Sequence, residues 1–296
     1  MQSSTKDFLL AIICVILAMI TIQSGASIAK QLFPIVGPEG TTALRLGFSA
    51  LILCLIFKPW KHLPTQGNRT SIIVYGLSLG GMNILFYYAI ERIPLGIGVA
   101  LEFTGPLAVA LFSSRRKRDL FWVACAIAGI LLLLPDMSSQ DSLDPIGVIL
   151  ALAAGACWAA YILFGKKTGS QSSGGATVAL GMTIAALVLV PYGGISQSSA
   201  FTWGIIPLGI GIAILSSALP YTLEMVALRN MPAQGFSIML SLEPAFAALA
   251  GFIILGELLT LWQWLAILLV IIASVGSSFS SVKKQKKQKN ILDLTS

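Results

Sequence analysis

Charged residues are scarce in this sequence. Asp, Glu, Lys and Arg make up 10% of its 296 residues, whereas hydrophobic residues make up 56%. A soluble domain carries about 25% charged residues, and mean hydropathy here reaches +0.87. This composition excludes an ordinary soluble protein. It predicts an all-α membrane protein, because a helix satisfies its own backbone hydrogen bonds in lipid.

Motifs for catalysis and for ATP binding are also missing. No Walker-type phosphate loop, G-x-S-x-G elbow or H-E-x-x-H pair occurs, which disfavours an ATP-driven pump and the common membrane hydrolases. The four cysteines lie in apolar segments without metal-ligand spacing, so we expect free thiols and no metal or other cofactor. The net charge of +7 lies in loops between apolar segments, so we expect no nucleic-acid partner. Because the catalytic motifs are missing, we expect that the protein is not an enzyme.

Apolar segments of membrane-spanning length recur along the chain, separated by prolines and glycines. Each crossing needs about 20 apolar residues. The predicted spans cover residues 8–32, 39–57, 70–90, 94–112, 119–134, 145–166, 174–192, 203–227, 233–255 and 260–280. The sequence therefore predicts ten transmembrane helices in a lipid bilayer.

Basic residues alternate in abundance between the two sides of these predicted spans. With the N-terminus inside, 16 Lys and Arg residues fall in cytoplasmic segments, and only Lys30 and Arg92 fall in outer loops. The predicted outer loop 136–144 contains three aspartates and no basic residue. Because cytoplasmic loops are enriched in Lys and Arg, both termini are predicted to be cytoplasmic.

Two stretches of the chain share one plan, an apolar segment that begins at a proline and contains another. Pro94 and Pro106 in the first correspond to Pro232 and Pro244, 138 residues later. Five spans in each half would insert the second half upside down, as in inverted-repeat transporters. The predicted units are two inverted five-helix repeats, at 1–134 and 145–280, and a cytoplasmic basic tail at 281–296.

Each of these stretches carries one carboxylate close to its inner proline, Glu102 in the first and Glu243 in the second. A carboxylate within hydrocarbon is costly and is a functional-site hypothesis by default. Burial favours the neutral acid, so either residue could carry a proton. Gly98 and Gly105 share a face with Glu102, which predicts space beside its carboxyl group. The alternative for either glutamate is a structural hydrogen bond between helices.

Other polar and aromatic side chains within the predicted spans are candidates for substrate binding. Arg45 is the only basic residue that lies within a predicted span away from its ends. Its guanidinium could hold a carboxylate through two hydrogen bonds, pair with an acid or reach lipid headgroups. Lys30 is expected to extend to the membrane interface, and Glu257 to cap a helix or contact a loop. The remaining candidates are Gln23, Asn83, Tyr87, Trp158, Tyr161, Tyr221 and Glu224.

Six stretches of the sequence have a familiar pattern: IQSGASIAK at 22–30, YGLSLGGMNILFYYAI at 75–90, PLGIGVALEFTGPLAVALFSSRR at 94–116, GACWAAYIL at 155–163, ALPYTLEMVAL at 218–228 and LSLEPAFAALAGFIILGE at 240–257. With them the chain resembles EamA-type members of the drug/metabolite transporter superfamily, over about residues 8 to 281. The resemblance implies ten spans in two five-helix repeats in the bacterial inner membrane. It implies export of small amino acids such as threonine and homoserine, driven by protons, and assigns no role to a particular glutamate.

Two alternatives stay open on the sequence. A transporter of the same fold could export drugs, sugars or nucleosides, with Trp158, Tyr161 and Tyr221 stacking on rings. A non-transport membrane enzyme or scaffold is the other, and the missing catalytic motifs and the lack of a soluble domain argue against it. No sequence feature predicts an oligomeric state.

Overall fold

The computed structural model describes residues 5–61, 69–112, 119–133, 143–169, 174–197, 203–231, 236 and 239–276, and this part of the chain contains helices and no β-strand. Large apolar side chains cover its outside, with Leu187 72% and Ile253 75% exposed. An apolar surface of this extent is typical of a protein that faces lipid. Pro232, the basic residues 115–118 and the predicted tail 281–296 lie outside the described residues.

The first helix, α1 (Thr5–Phe57), contains the first two predicted spans and is interrupted at Gly37. Gly37 has φ 66° and ψ 169°, a conformation that a residue with a side chain rarely adopts. Pro34 and Pro38 lie on either side of it within the helix and have no backbone N–H to donate. The local sequence therefore ends one helical arm, residues 5–36, and begins another, residues 38–57.

These two arms lie side by side. Gly25 in the first arm packs so closely on Ser216 that an added methyl group would overlap its hydroxyl. Ser49 in the second arm donates a hydrogen bond to the neighbouring Ser217, with 2.9 Å between the oxygens. In a straight helix Gly25 and Ser49 would be about 36 Å apart, at 1.5 Å per residue. Gly25 and Ser49 contact Ser216 and Ser217, which are adjacent in sequence. The chain must therefore turn back at Gly37.

The other helices occupy the predicted apolar segments. Within the described residues, five stretches are long and apolar enough to cross a membrane, namely Asp7–Phe57, Thr70–Arg92, Pro145–Gly165, Gly175–Ser196 and Trp203–Glu224. Two π-helical turns, Ile214–Ala218 and Gly251–Leu255, follow α8 and α10 respectively. The helices after α1 are α2 (Arg69–Arg92), α3 (Leu95–Glu102), α4 (Thr104–Phe112), α5 (Asp119–Leu133), α6 (Pro145–Gly169), α7 (Gly174–Ser196), α8 (Ile206–Ala213), α9 (Leu219–Asn230), α10 (Glu243–Ala250) and α11 (Leu261–Gly276).

Two of the predicted spans are broken next to a glutamate. Helix α3 ends at Glu102, and Phe103 separates it from α4. Helix α10 begins at Glu243 after a turn at Ser241 and Leu242. Phe103 and Ser241 are 138 residues apart, the spacing of the repeated prolines. The predicted breaks are therefore present at matching positions, since each following proline removes a donor from the helix.

Helices from the two halves of the chain interleave. Helix α1 packs against α7 and α9, α2 against α6 and α7, and α3 against α10. Small residues allow this close approach: Gly105 in α4 lies directly against the backbone of Gly155 in α6. The central core is therefore built between the halves rather than within two separate lobes.

The start of α6 is fixed by Asp144. Its carboxylate accepts a hydrogen bond from the Ile146 amide at 2.8 Å and an ion pair from Arg92 at 3.1 Å. An aspartate before the first helical turn satisfies an otherwise unpaired N–H. The hydrogen bond from the Ile146 amide, and to a smaller extent the one from Arg92, holds the pKa of Asp144 below its ordinary value.

Candidate functional site

A polar cavity of about 270 Å³ lies between the two arms of α1, helices α2, α3, α6, α9 and α10, and the first π turn. It holds nine of the ten side chains predicted from the sequence as binding residues. The tenth, Tyr87, is fully buried behind Arg45. The nine that line the cavity are Gln23, Arg45, Asn83, Glu102, Trp158, Tyr161, Tyr221, Glu224 and Glu243.

Arg45 is held on one side by Tyr87. Its Nη1 donates a hydrogen bond to the Tyr87 hydroxyl at 3.1 Å, and its guanidinium carbon lies 5.4 Å from the centre of the same ring. The Nε atom is buried and has no hydrogen-bond partner in the described part of the chain. The guanidinium is thus oriented by protein contacts while one of its donors stays available to an anionic ligand.

The two glutamates beside the helix breaks have different surroundings. Glu243 accepts a hydrogen bond from the Gln23 amide nitrogen at 3.0 Å. Glu102 is 8% exposed, and no described residue donates a hydrogen bond to its carboxylate. Glu243 is therefore positioned by a neighbouring span, whereas Glu102 presents a carboxylate to the cavity with both oxygens unpaired.

The glycines beside Glu102 do not provide the space expected from the sequence. Gly98 lies against Ile90, and Gly105 lies against the Gly155 backbone; neither borders the cavity. Their missing side chains let α3 and α4 approach α2 and α6 closely.

Charge within the cavity is unbalanced. Three carboxyl groups, those of Glu102, Glu224 and Glu243, share it with the single guanidinium of Arg45. Charges taken out of water are costly unless paired. The excess of acidic groups makes the cavity receptive to a cation, either an ammonium group or a proton, while Arg45 offers a place for a carboxylate.

The aromatic side chains at the wall are already packed against protein rings. Tyr161 stacks on Tyr75 with 4.7 Å between ring centres. Trp158 meets Phe103 edge to face at 5.2 Å. Asn83 donates to the Leu79 carbonyl at 2.8 Å within its own helix. These residues shape the wall, and the groups left for polar contact are chiefly the charged ones and Gln23.

Ser216 is a cavity residue that the sequence reasoning did not select. It precedes Pro220 and Glu224 by four and eight residues in the eighth predicted span, and all three line the cavity. Ser216 differs from Pro220 and Glu224 in lying within a π turn, and no sequence pattern predicts that turn.

Near the predicted outer end, Lys30 and Glu257 form a clamp. The Lys30 ammonium binds the Glu257 carboxylate at 2.6 Å and the Ile93 carbonyl at 3.0 Å. The other carboxylate oxygen of Glu257 accepts the Leu95 amide at 2.7 Å, at the start of α3. The capping role expected for Glu257 is therefore confirmed. The Lys30 ammonium is held by a carboxylate and a backbone carbonyl of the protein.

A larger groove, of about 710 Å³, lies between the second arm and α7 and is not the candidate site. Its wall is apolar and includes the strongly exposed Leu51 and Leu187. Two of its polar side chains, Cys54 and Thr183, contact each other at 3.2 Å. A groove without charged groups cannot orient a polar solute, and its exposed apolar side chains fit contact with lipid.

Comparison with known proteins gives matches over nearly the whole chain. The threonine/homoserine exporter RhtA of Escherichia coli (strain K12) is 52% identical over 283 residues, covering 95% of each chain. The protein of that name from Salmonella typhimurium (strain SL1344) is 51% identical over the same shares. The uncharacterized transporter YwfM of Bacillus subtilis (strain 168) is 27% identical, covering 83% of this chain and 85% of its own.

One solved crystal structure, 17% identical, matches with a TM-score of 0.59 over 93% of this chain and 98% of the other. That likeness shows the fold alone. The sequence relatives are bacterial transporters and not enzymes, and the apolar helices agree with a multi-pass protein of the inner membrane. The family model for EamA-like transporters matches residues 9–134 and again 145–279. The chain therefore belongs to the EamA-like transporter family.

Proposed function

We propose that this protein is a secondary transporter that exports small amino acids such as threonine and homoserine in exchange for protons. The observation that carries the substrate class is the 52% identity to a threonine/homoserine exporter over 95% of both chains. The central cavity supports it independently, because it offers acidic groups and one guanidinium in a confined space.

An amino acid at neutral pH is a zwitterion and needs a separate partner for each charge. Arg45, held by Tyr87 with its Nε free, suits the carboxylate. Glu102, whose carboxylate has no donor among the described residues, suits the ammonium group. Glu243, already hydrogen-bonded to Gln23, is the second choice. Both charges of the substrate are then neutralised within one cavity.

The excess of acidic groups in the cavity supports the proposed proton coupling. When the substrate ammonium leaves, a carboxylate in a partly dry cavity would remain uncompensated, which is costly. A proton that takes its place neutralises the same group. Competition between proton and ammonium for one carboxylate makes the two occupancies alternate, which is the requirement for exchange.

The architecture that we propose is ten spans in two inverted five-helix repeats, with both termini cytoplasmic. Three observations support it: the turn at Gly37, the helix breaks that lie 138 residues apart and the two separate matches to one family model. In such transporters, broken helices near the midplane form the site, and rocking of the repeats exposes it to each side in turn.

The size of the cavity distinguishes this substrate class from larger ones. Sites for drug-sized ligands usually enclose about 300–1,000 Å³, whereas this cavity holds about 270 Å³. Trp158 and Tyr161 are packed against protein rings, which leaves less aromatic surface for a nucleobase. These features favour a small amino acid over a drug or nucleoside.

Purified protein in proteoliposomes provides the test. Labelled threonine and a labelled purine nucleoside are measured in parallel, with and without an imposed pH gradient. We expect threonine to move against its gradient when the pH gradient is present, and the nucleoside not to move.

Nucleoside transport without threonine transport would contradict the proposed substrate class. Threonine movement that is indifferent to the pH gradient would contradict proton coupling alone. Absence of any transport, with no change in thermal stability on adding substrate, would support a scaffold.

A further inference from the structure

The hydroxyl group of Ser216 is an exception among the buried hydroxyls of this protein. Ser216 is 5% exposed, lines the polar cavity and has no hydrogen-bond partner for its Oγ atom in the described part of the chain. Buried polar groups are normally paired, and an unpaired one costs about 1–3 kcal/mol. An unpaired hydroxyl at the wall of a binding cavity is therefore a group available to a ligand.

Serine and threonine in apolar helices usually satisfy themselves by donating to the carbonyl four residues back. The spans of this protein use that solution repeatedly. The Ser216 hydroxyl makes no such hydrogen bond, although Ser216 lies in a continuous helical stretch between α8 and α9. Hydroxyls that donate to the carbonyl four residues back are those of Ser27, Thr41, Thr42, Thr183 and Thr222.

The π turn Ile214–Ala218 and two neighbours fix the position of Ser216. A π turn inserts an extra residue into a helix and is frequent at functional sites. The adjacent Ser217 is anchored by Ser49 at 2.9 Å. On the other side, the bare backbone of Gly25 lies directly against the Ser216 hydroxyl. Two spans thus hold the turn from both sides and leave the hydroxyl little choice of direction.

The other two buried atoms without a partner in the described part of the chain are Gln23 Oε1 and Arg45 Nε, which also belong to the cavity wall. All three unpaired atoms therefore belong to side chains that line one cavity.

Together they offer one acceptor, one cationic donor and one hydroxyl that can do both. A zwitterion with a hydroxylated side chain presents the matching set: an ammonium donor, a carboxylate acceptor and a second hydroxyl. The relatives named above export threonine and homoserine, and both substrates carry such a hydroxyl. An aliphatic amino acid would leave the Ser216 hydroxyl unpaired.

We propose that Ser216 is the specificity-determining residue that recognises the side-chain hydroxyl of the substrate. This inference rests on the proposed export of small amino acids and adds the selection among them. The site discriminates threonine from valine, its near-isostere, and homoserine from norvaline. Sites built to hydrogen-bond a substrate hydroxyl reject the analogue that lacks it, because a buried polar group of the site is then left unpaired.

The test compares kcat/KM for threonine and valine in proteoliposomes containing the full-length protein. The same comparison is made for homoserine and norvaline. We expect the wild type to prefer each hydroxylated substrate by about tenfold or more, the value of one buried hydrogen bond. Ser216→Ala should bring both ratios down to near unity, mainly by raising valine and norvaline transport relative to the hydroxylated pair.

Ser27→Ala is the matched control, because Ser27 is a buried serine whose hydroxyl donates to the carbonyl of Gln23 four residues back and which does not line the cavity. It should keep the wild-type ratios. An unchanged threonine-to-valine ratio in Ser216→Ala would overturn the inference while leaving amino-acid export intact.

The wild-type measurement stands if Ser216→Ala does not insert, since a wild-type ratio below twofold overturns the inference by itself. A wild type that moves none of the four amino acids refutes the proposed function instead, which is a distinct result.

Discussion

At the scale of single residues, the candidate site is defined by which polar atoms the protein itself satisfies. The Arg45 guanidinium donates a hydrogen bond to the Tyr87 hydroxyl and lies near its ring. The Gln23 amide donates a hydrogen bond to the Glu243 carboxylate. Arg45 Nε and the Glu102 carboxylate are left without protein partners. Two groups of opposite charge, each fixed by burial and each unpaired, suit the two ends of an amino acid.

Arg45 should control affinity for the substrate carboxylate. Arg45→Lys keeps the charge but loses the planar fork and the contact with the Tyr87 ring. We expect the apparent affinity for threonine to fall about tenfold, as for loss of one charge-assisted hydrogen bond of about 1.5 kcal/mol. Arg45→Ala should lower it further. Uptake into inverted vesicles gives the measurement, and normal transport by Arg45→Ala would show that Arg45 only anchors its helix.

Glu102 and Glu243 should differ in their contribution to coupling. Glutamine keeps the size of glutamate but cannot titrate, so Glu102→Gln should abolish accumulation driven by a pH gradient while passive exchange survives. Glu243→Gln should cost less, because an amide at this position can still accept the hydrogen bond from Gln23. Gradient-driven and exchange transport are measured on both variants. Full gradient-driven transport by both, in normally inserted protein, would exclude a carboxylate mechanism at these residues.

At the scale of helices, two kinds of contact hold the interrupted segments in place. Charged side chains join helix ends, as Lys30 and Glu257 do at the start of α3. Glycines bring backbones together within the bundle, as Gly105 and Gly155 do between α4 and α6. The charged contacts also satisfy backbone groups on either side of Pro94, because Lys30 donates to the Ile93 carbonyl and Glu257 accepts from the Leu95 amide.

The clamp of Lys30 and Glu257 should contribute measurably to stability. Their side chains are 21% and 15% exposed, and Glu257→Gln leaves the Lys30 ammonium without its negatively charged partner. We expect a loss of about 2 kcal/mol, seen as a lower Tm in detergent. Arg92→Ala is the matched control, because its ion pair with Asp144 is 41% and 31% exposed and is worth about 0–1 kcal/mol. Equal effects of the two changes would refute this ranking.

The contact between α4 and α6 should not tolerate a side chain at Gly105. A methyl group there would overlap the backbone carbonyl of Gly155, so Gly105→Ala should cost about 1–3 kcal/mol through overpacking. Gly211→Ala is the control, since nothing lies within 4 Å of a methyl group at that position. Thermal unfolding in detergent should show a lower Tm for Gly105→Ala alone. A normal Tm for Gly105→Ala would mean that the two helices separate freely.

At the scale of the whole molecule, the interleaved halves surround one central cavity, and orientation in the membrane decides which side each end of that cavity faces. The proposed topology follows from basic residues, 16 inside against two outside, under the positive-inside rule. Reporter fusions after Arg118 and after Ser296 should both give a cytoplasmic signal, and a fusion within residues 136–142 should give an external one. An external signal after Arg118 or Ser296 would remove the basis for inverted repeats.

The sequence by itself determined the class of protein, the positions of the apolar helices and the breaks near Glu102 and Glu243. These follow from composition, from segment length and from proline, which acts locally. The sequence also identified the polar residues that come together. A charged or amide group within an apolar span is unfavourable in contact with lipid, so it faces the interior that the helices share.

Only the tertiary structure decided which of these groups are satisfied. Pairing of Gln23 with Glu243, of Arg45 with Tyr87 and of Lys30 with Glu257 joins residues far apart in sequence, and local patterns carry no information on such partners. The structure likewise places Gly105 at a contact between helices instead of beside the cavity, and it places Ser216 at the cavity wall. Burial and pairing are properties of the packed bundle, so they appear only when the spans are assembled.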